Sequence, residues 1–326
     1  MKVPHELVSF LKKEDDFLIA THINPDGDAI GSALGLALAL ESAGKKVTVY
    51  DRDPVPDFYS FLPGKNRFIH SLSGLDTSLF NLILVDCNSL DRVGIEGTEF
   101  KHTCVIDHHE TEKDFGAVKW VEPHAAATGV LIFDVLRESR LKMTRDIAIN
   151  LYTAIVVDTG AFRYANTTAE VLKVSAELIE AGADPAFISN SLYEMWTDRR
   201  FALLTMVLNT LEIRDDIAMT FVSRRMFSKT NTGPEDTENF ANFPRMIKSV
   251  KISAFFRQVD HIHWKISLRS KGDTNVAGIA AFFDGGGHKN AAGCKIRGNL
   301  KTVKETLLRT IDQLQHKQQT AFPAKS

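Results

Sequence analysis

Apolar and polar positions change rhythm once along this 326-residue chain. Up to about residue 183, short β-rich runs (FLIATH, KKVTVY, NLILVDC and TCVID) alternate with segments whose apolar residues recur at helical spacing. AIGSALGLALALESAG is the first such segment, closed by Gly44 at a left-handed cap position; residues 129–139, 145–157 and 169–181 supply others. Alternating strand and helix predicts a mostly parallel sheet with helices on its faces. From Asp184, placed as a cap ahead of Pro185, to Arg214 the pattern reads as one long connecting helix. Beyond it, IAMTFVS, VKISAFFRQ and HWKISLRS read as strands, the last two as a hairpin, and a closing helix is expected over 299–316. The expected architecture is α/β. A mostly parallel sheet flanked by helices (1–183) is joined by a helical linker (184–214) to a second, smaller α/β domain (215–326) across a cleft.

Composition narrows the class. With 44% hydrophobic and 25% charged residues the chain reads as globular, and no apolar run approaches the roughly 20 residues that span a bilayer. The start, MKVPHELVSFLKKEDD, carries acidic residues and no apolar core region, so no signal peptide is read there and a cytoplasmic location is expected. A formal net charge of −2 provides no global field for long duplex nucleic acid, so an anionic ligand must be held locally. Cys87, Cys104 and Cys294 lie among apolar neighbours with no CxxC pair, and read as buried small hydrophobes.

Residues 22–32, HINPDGDAIGS, change the picture. They place His22, Asp26 and Asp28 in the loop after the first strand, where open α/β sheets bind ligands. NLILVDCN delivers Asp86 at the end of another strand, TCVIDHH delivers Asp107, His108 and His109, and Asp158 ends the apolar segment NLYTAIVVDTG. Taken singly, an Asp-Gly is a turn, an Asp after a strand is a cap, and paired histidines are solvated. Together on one edge, four carboxylates repel one another and raise one another's pKa unless cations sit among them. Carboxylate plus imidazole without thiolate suits Mn²⁺, with Mg²⁺, Fe²⁺ or Zn²⁺ as alternatives. Six candidate ligands (His22, Asp26, Asp28, Asp86, His108 and Asp158) suit two ions sharing a carboxylate, the usual arrangement for phosphoester hydrolysis.

HINPDGDAIGS, VDCNSLDRVG, IDHHE and DTGAFRY, followed by GGGHKNAAG at 285–293, resemble in order the motifs of the DHH phosphoesterase superfamily. Length and domain content are most similar to its stand-alone nanoRNase group. The resemblance implies that His22, Asp26 and Asp86 hold one ion and Asp28, Asp86, His108 and Asp158 the other. It implies that Asp107 orients a neighbouring ligand and that His109 is catalytic. In an extended segment His108 and His109 would point opposite ways. Arg163 would contact phosphate or pair with Asp158, and Asp91, Arg92 and Gly94 form either a capped turn or part of the site. Where many relatives carry Asn beyond the paired histidines, this chain has Lys113 and Asp114.

The second domain is expected to bind substrate phosphate through Arg269 and through Gly286, Gly287 and His288, the small residues after His288 opening a helix. Arg257 and Lys271 are further candidates. The activity implied is hydrolysis of very short oligoribonucleotides to 5′-mononucleotides and of 3′-phosphoadenosine 5′-phosphate to AMP, with length selection by the cleft. A cyclic-di-AMP or pApA phosphodiesterase would use the same metal site, and a pyrophosphatase is disfavoured by GGGHKNAAG. A non-catalytic nucleotide-binding protein would lack a ligand, and none of the six is missing. No membrane partner is expected, and a homodimer is compatible with the sequence.

Overall fold

The computed structural model describes residues 1–109 and 114–321 and, of these, every side chain except those of His288 and residues 315–321. It divides into two compact units, Met1–Met195 and Trp196–Ser326.

The first unit runs α1 (His5–Lys13), β1 (Asp16–Ala20), α2 (Gly27–Ser42), β2 (Lys46–Tyr50), β3 (Phe68–Ile69), β4 (Asn81–Val85), α3 (Leu90–Val93), β5 (His102–Asp107), β6 (Val118–Val121), α4 (Thr128–Ser139), α5 (Arg145–Asp158), α6 (Ala169–Glu180) and α7 (Pro185–Tyr193). Its six strands are all parallel, in the order β3-β2-β1-β4-β5-β6. Side chains alternate across the sheet, as the two-residue period of a strand requires. Phe17, Ile19, Ile83, Val85, Cys104 and Ile106 join one buried cluster with α1, α2, α4 and α5, while Leu18, Ala20, Leu82, Leu84 and Val105 face a smaller one with Val93 and Ile95. The large helices therefore cover one face. The other is covered by short α3, which ends at Gly94 with φ +76°, and by connecting segments.

The strand order reverses between β1 and β4, and that switch point is where the carboxyl ends of neighbouring strands open a crevice. The carboxyl ends of β1, β4 and the adjoining β5 lead, respectively, to His22, Asp26 and Asp28, to Asp86, and to Asp107 and His108. Helix α2 can approach α5 because Gly27, Gly31 and Gly35 lie one turn apart along it. A Cβ at position 31 would fall 2.4 Å from the Asn150 carbonyl oxygen, and one at 27 would fall 2.5 Å from Val157. This close packing brings the amino end of α2, with Asp28, against the carboxyl end of α5, with Asp158.

The second unit contains α8 (Asp198–Leu208), β7 (Glu212–Arg214), β8 (Ile217–Val222), α9 (Arg224–Thr230), α10 (Asn242–Arg245), β9 (Ile252–Gln258), β10 (His263–Ser270), α11 (Val276–Ala281), β11 (Gly286–His288), β12 (Ala291–Arg297) and α12 (Leu300–Ala321). Its sheet, β11-β12-β10-β9-β8-β7, is antiparallel except for the parallel β8–β9 pair. Val303, Leu307 and Ile311 of α12 close one face over Phe256, Ile266 and Leu268.

Two expectations need correction. The stretch 184–214 is not one helix. α7 stops at Tyr193, and α8 starts afresh after Thr197, whose side chain accepts the Arg200 N–H as a new cap. Trp196, in the break, packs against Phe240 and Phe243 with the Arg200 guanidinium 4.0 Å from its ring centre, and residues 212–214 are already strand. The residues after His288 do not open a helix either. GGGHKNAAG folds as a hairpin in which Gly286 pairs with Gly293 and Gly287 with Ala292. Two of its glycines serve backbone closeness: a Cβ at Gly285 would fall 2.2 Å from the Gly293 carbonyl oxygen, and Gly287 has φ +138° and would place a Cβ 2.4 Å from the Ala291 carbonyl oxygen.

All three cysteines are buried and free. No helix among the described residues is long and apolar enough to cross a membrane.

Candidate active site

Each loop delivers its side chain by a local device. Asp26 caps α2, its Oδ1 accepting the N–H groups of Asp28 and Ala29 at 3.0 and 3.1 Å, which turns the chain so that Asp28 points inward. Asp28 is fully buried. Its Oδ2 accepts the Thr128 N–H at 2.7 Å, and its Oδ1 accepts both the Gly129 N–H and the Ser32 hydroxyl at 2.9 Å. Asp86 follows β4 with φ +61°, a left-handed conformation that Asp and Asn tolerate better than other side chains do. Asp158 is the last residue of α5, so this ligand candidate comes from a helix end.

These residues meet at Asp86. His22 Nε2 lies 3.5 Å from Asp86 Oδ2, while His108 Nε2 lies 3.4 Å from Asp86 Oδ1, 3.2 Å from Asp158 Oδ2 and 3.6 Å from Asp28 Oδ2. Three sets of donor atoms fall within 4.8 Å of one another: His22, Asp26 and Asp86; Asp28, His108 and Asp158; and Asp86, His108 and His109. The six candidate ligands are thus together, with Asp86 turning one oxygen to each histidine.

The chemistry of this donor set fits a divalent cation. His22 Nδ1 is 3.1 Å from the Ile23 carbonyl and His108 Nδ1 3.1 Å from the Ala125 carbonyl. A carbonyl only accepts, so Nδ1 carries the proton in both rings and Nε2 faces the carboxylates. Lone pair against carboxylate oxygen is repulsive, so either a proton or a metal ion must lie between them. Burial, and then the charges of Asp86 and Asp158, push the Asp28 carboxyl well above its ordinary range. Burial disfavours charge on His108 too, but the bond to Asp158 and the Asp158, Asp86 and Asp28 charges outweigh it and hold the imidazolium well above its ordinary range. Against the same burial, the bond to His22 and the neighbouring imidazoles keep Asp86 ionised far below the usual carboxylate range. A cation relieves both problems at once, neutralising the carboxylates and accepting the histidine lone pairs.

Asp107 and His109 correct the expected local geometry. β5 ends at Asp107, whose Oδ1 accepts the backbone N–H groups of His108 and His109 at 2.8 and 3.3 Å. This Asx-type turn ends the extended run, so the two rings do not diverge: their centres lie 5.2 Å apart. The same Oδ1 is 2.6 Å from His109 Nδ1, and Oδ2 accepts the Asn88 amide at 2.7 Å. Asp107 therefore orients the His109 ring; its bond to His108 is to the backbone. With Nδ1–H held by Asp107, any proton His109 exchanges with substrate passes through Nε2.

Arg163 follows a left-handed turn in which Gly160, Ala161 and Phe162 all have φ near +58° (56°, 58° and 59°), and its Nε donates to the Gly160 carbonyl at 2.6 Å. No ion pair between Arg163 and Asp158 occurs among the described residues. Lys113 lies outside the described residues, and Asp114 pairs with Lys119 at 2.7 Å. In the second unit, backbone register places Arg269 and His288 on either side of Ala291, and Arg269 Nη1 donates to its neighbour's carbonyl at 3.0 Å. The His288 side chain lies outside the described residues.

Four residues beside the site had no part in the expected set. Asp51, fully buried at the end of β2, accepts the Thr21 hydroxyl at 2.5 Å and so ties down the residue before His22. Its strand-end position is the signal that marked Asp86. Thr128 and Asn88 carry no such signal, because each acts through one hydroxyl or amide reaching a carboxylate far along the chain, while Ser32 bonds Asp28 one helical turn before it.

Comparison with known proteins identifies the family. The profile described as "DHH family, N-terminal domain" matches residues 16–155 and the DHHA1 domain profile matches residues 217–317. The chain is 34% identical over 302 residues to a bifunctional oligoribonuclease and PAP phosphatase NrnA of Thermus thermophilus, covering 91% of this chain and 90% of that one. A Bacillus subtilis protein of the same name is 26% identical over 304 residues, covering 89% and 92%. The crystal structure of an exopolyphosphatase-related protein from Bacteroides fragilis superimposes with a TM-score of 0.88 at 28% identity, covering 96% of this chain and 98% of that one. With both domain profiles matched in order on either side of the division between its two units, this chain belongs to the DHH family of metal-dependent phosphoesterases.

Proposed function

We propose that this protein hydrolyses very short oligoribonucleotides to 5′-mononucleotides and 3′-phosphoadenosine 5′-phosphate to AMP, using two Mn²⁺ ions. The observation that carries the reading is the junction at Asp86, whose oxygens face two different histidines: His22, in one donor set with Asp26 and Asp86, and His108, in another with Asp28 and Asp158. His22, Asp26 and Asp86 would hold one ion; Asp28, Asp86, His108 and Asp158 the other. Bound divalent ions supply positive charge that acidifies water and offsets charge on the phosphoryl oxygens. The names of the Thermus and Bacillus relatives support both substrates. One site serves both because the same bond breaks: water oxygen joins phosphorus, the P–O3′ bond is cleaved, and the departing O3′ takes a proton. His109, its ring fixed by Asp107, donates that proton from Nε2. The first unit carries the chemistry, with Arg163 as its phosphate contact; within the second unit, Arg269, Gly286, Gly287 and His288 are the proposed phosphate-binding residues.

A kinetic panel tests the reading: a dinucleotide, short oligoribonucleotides, a long RNA, 3′-phosphoadenosine 5′-phosphate and cyclic di-AMP, each with Mn²⁺, Mg²⁺ or chelator. The expected result is Mn²⁺-dependent turnover of the shortest RNAs and of 3′-phosphoadenosine 5′-phosphate. Preference for the cyclic dinucleotide, or equal cleavage of long RNA, overturns it.

Metal uptake is also expected to release protons. Burial opposes charge on His22, yet the bond to Asp86 and the Asp26 and Asp86 charges raise its pKa to about 9 in the metal-free protein. Burial, then Asp86 and Asp158, raise Asp26 to about 6. Both groups must be unprotonated to bind a cation, so at neutral pH Mn²⁺ displaces the His22 proton. Affinity should rise with pH below about pH 9, by roughly tenfold per unit or more, because His108, also held protonated by its carboxylate neighbours, must give up its proton as well. Calorimetry in buffers of different ionisation enthalpy reads the proton directly, and pH-independent affinity would contradict it.

A further inference from the structure

Helix α4 begins at Thr128 behind Ala127, which has no side-chain oxygen to accept the first exposed N–H groups. The acceptor comes from 100 residues earlier in the chain: Asp28 Oδ2 takes the Thr128 N–H at 2.7 Å, and Asp28 Oδ1 takes the Gly129 N–H at 2.9 Å. Asp28, an expected cation ligand, thus doubles as the cap of a helix that supplies none of the six proposed ligands. Thr128 makes a second contact of the same kind. Its hydroxyl donates to Asp86 Oδ1 at 2.9 Å, and both residues are buried.

One residue therefore bonds two carboxylates that arrive on different elements, α2 and the end of β4, and that repel each other in a dry site. Lone-pair counting shows what this leaves. A carboxylate has about four acceptor sites. Asp28 uses three, on Thr128, Gly129 and Ser32, and the remaining one is on Oδ2, the oxygen 3.6 Å from His108 Nε2. On Asp86 the Thr128 hydroxyl occupies one site of Oδ1, leaving the other for the His108 side and Oδ2 for the His22 side.

We infer that Thr128 is a positioning residue: with the amino end of α4 it holds Asp28 and Asp86 in ligand geometry before any cation arrives. The inference rests on the reading that these carboxylates bind divalent cations. It assigns Thr128 no contact with substrate. The backbone N–H bonds survive any side-chain replacement, so the hydroxyl is the part that substitution can test. Thr128→Val keeps the shape and removes only the donor to Asp86; Thr128→Ser keeps the donor and removes only the methyl.

Mn²⁺ titration followed by electron paramagnetic resonance of the free ion, on wild type, T128V and T128S, tests this without reference to turnover. T128V is expected to bind Mn²⁺ about 10–100-fold more weakly, the usual loss when a partner of a metal ligand is removed. T128S should bind close to wild type, and the metal-free melting temperatures of T128V and T128S should agree. Activity of T128V should recover as Mn²⁺ is raised. Unchanged Mn²⁺ affinity in T128V overturns the inference, and so does an equal loss in T128S, which would trace the effect to packing of the methyl. Wild-type protein that binds no Mn²⁺ overturns the cation reading together with this one, whereas tight wild-type binding matched by T128V overturns this one alone.

Discussion

Asp86→Asn is expected to lower turnover of short RNA by ~10³-fold or more, equivalent to about 4 kcal/mol of lost transition-state stabilisation. Asparagine is the informative replacement. It has the same shape and tolerates the φ of +61° at this position, whereas alanine would add backbone strain to the loss of the ligand. The amide replaces one carboxylate oxygen by a donor, which can ligate nothing and faces one of two histidine nitrogens, at 3.4 or 3.5 Å, that no longer share an anion. Because two of the three donor sets include Asp86 and the third contains His108, 3.4 Å from it, Mn²⁺ stoichiometry should fall along with activity. Activity at saturating Mn²⁺ and a metal count on the purified variant check the two parts. D86N that keeps a tenth of wild-type turnover with both ions bound would remove the bridging role.

His109→Asn is expected to behave differently: kcat for short RNA falls by about 10²–10⁴-fold while Mn²⁺ binding persists. The Asp107 contact at 2.6 Å holds the ring by Nδ1, which also lies 3.9 Å from Asp86 Oδ1, so the variant removes the Nε2 proton donor and keeps all six proposed ligands. Leaving-group chemistry separates this role from a structural one. A p-nitrophenolate departs without needing a proton, so bis(p-nitrophenyl) phosphate should lose much less than RNA does. His109 also falls within a donor set with Asp86 and His108. Equal loss on both substrates, accompanied by weaker Mn²⁺ binding, would make His109 a ligand and end its assignment as the acid.

How far these residues could be read in advance depends on the range of the interaction that places them. His22, Asp26 and Asp28 were legible because a strand, a cap and a helix are local, and local signals are written in neighbouring residues. Asp86 and Asp107 carried the same strand-end signal, and so did Asp51, which instead bonds Thr21. The relation between His108 and His109 was not legible, because it turns on whether the Asp107 side chain folds back on the next two N–H groups or the strand continues. Similarly, the glycines of GGGHKNAAG suit a hairpin as well as a helix start, and only pairing of Gly286 with Gly293 chooses between them. The break between α7 and α8 was signalled by Thr197 and Asp198 inside a periodic stretch, and Trp196 packing on Phe240 and Phe243 accompanies it.

The sequence by itself determined the class of fold, the chemistry of the donors and the strand ends that present them, because hydrophobic period and capping act over a few residues. The tertiary structure alone decided that the strand order reverses between β1 and β4, that glycines on α2 let Asp28 reach Asp158 and His108, and that Asp86 turns one oxygen to each histidine. It also decided that Thr128 serves two carboxylates from elsewhere in the chain. Such contacts are set by distances between elements, and a hydroxyl at a helix start carries no mark of the carboxylate that packing will bring to it.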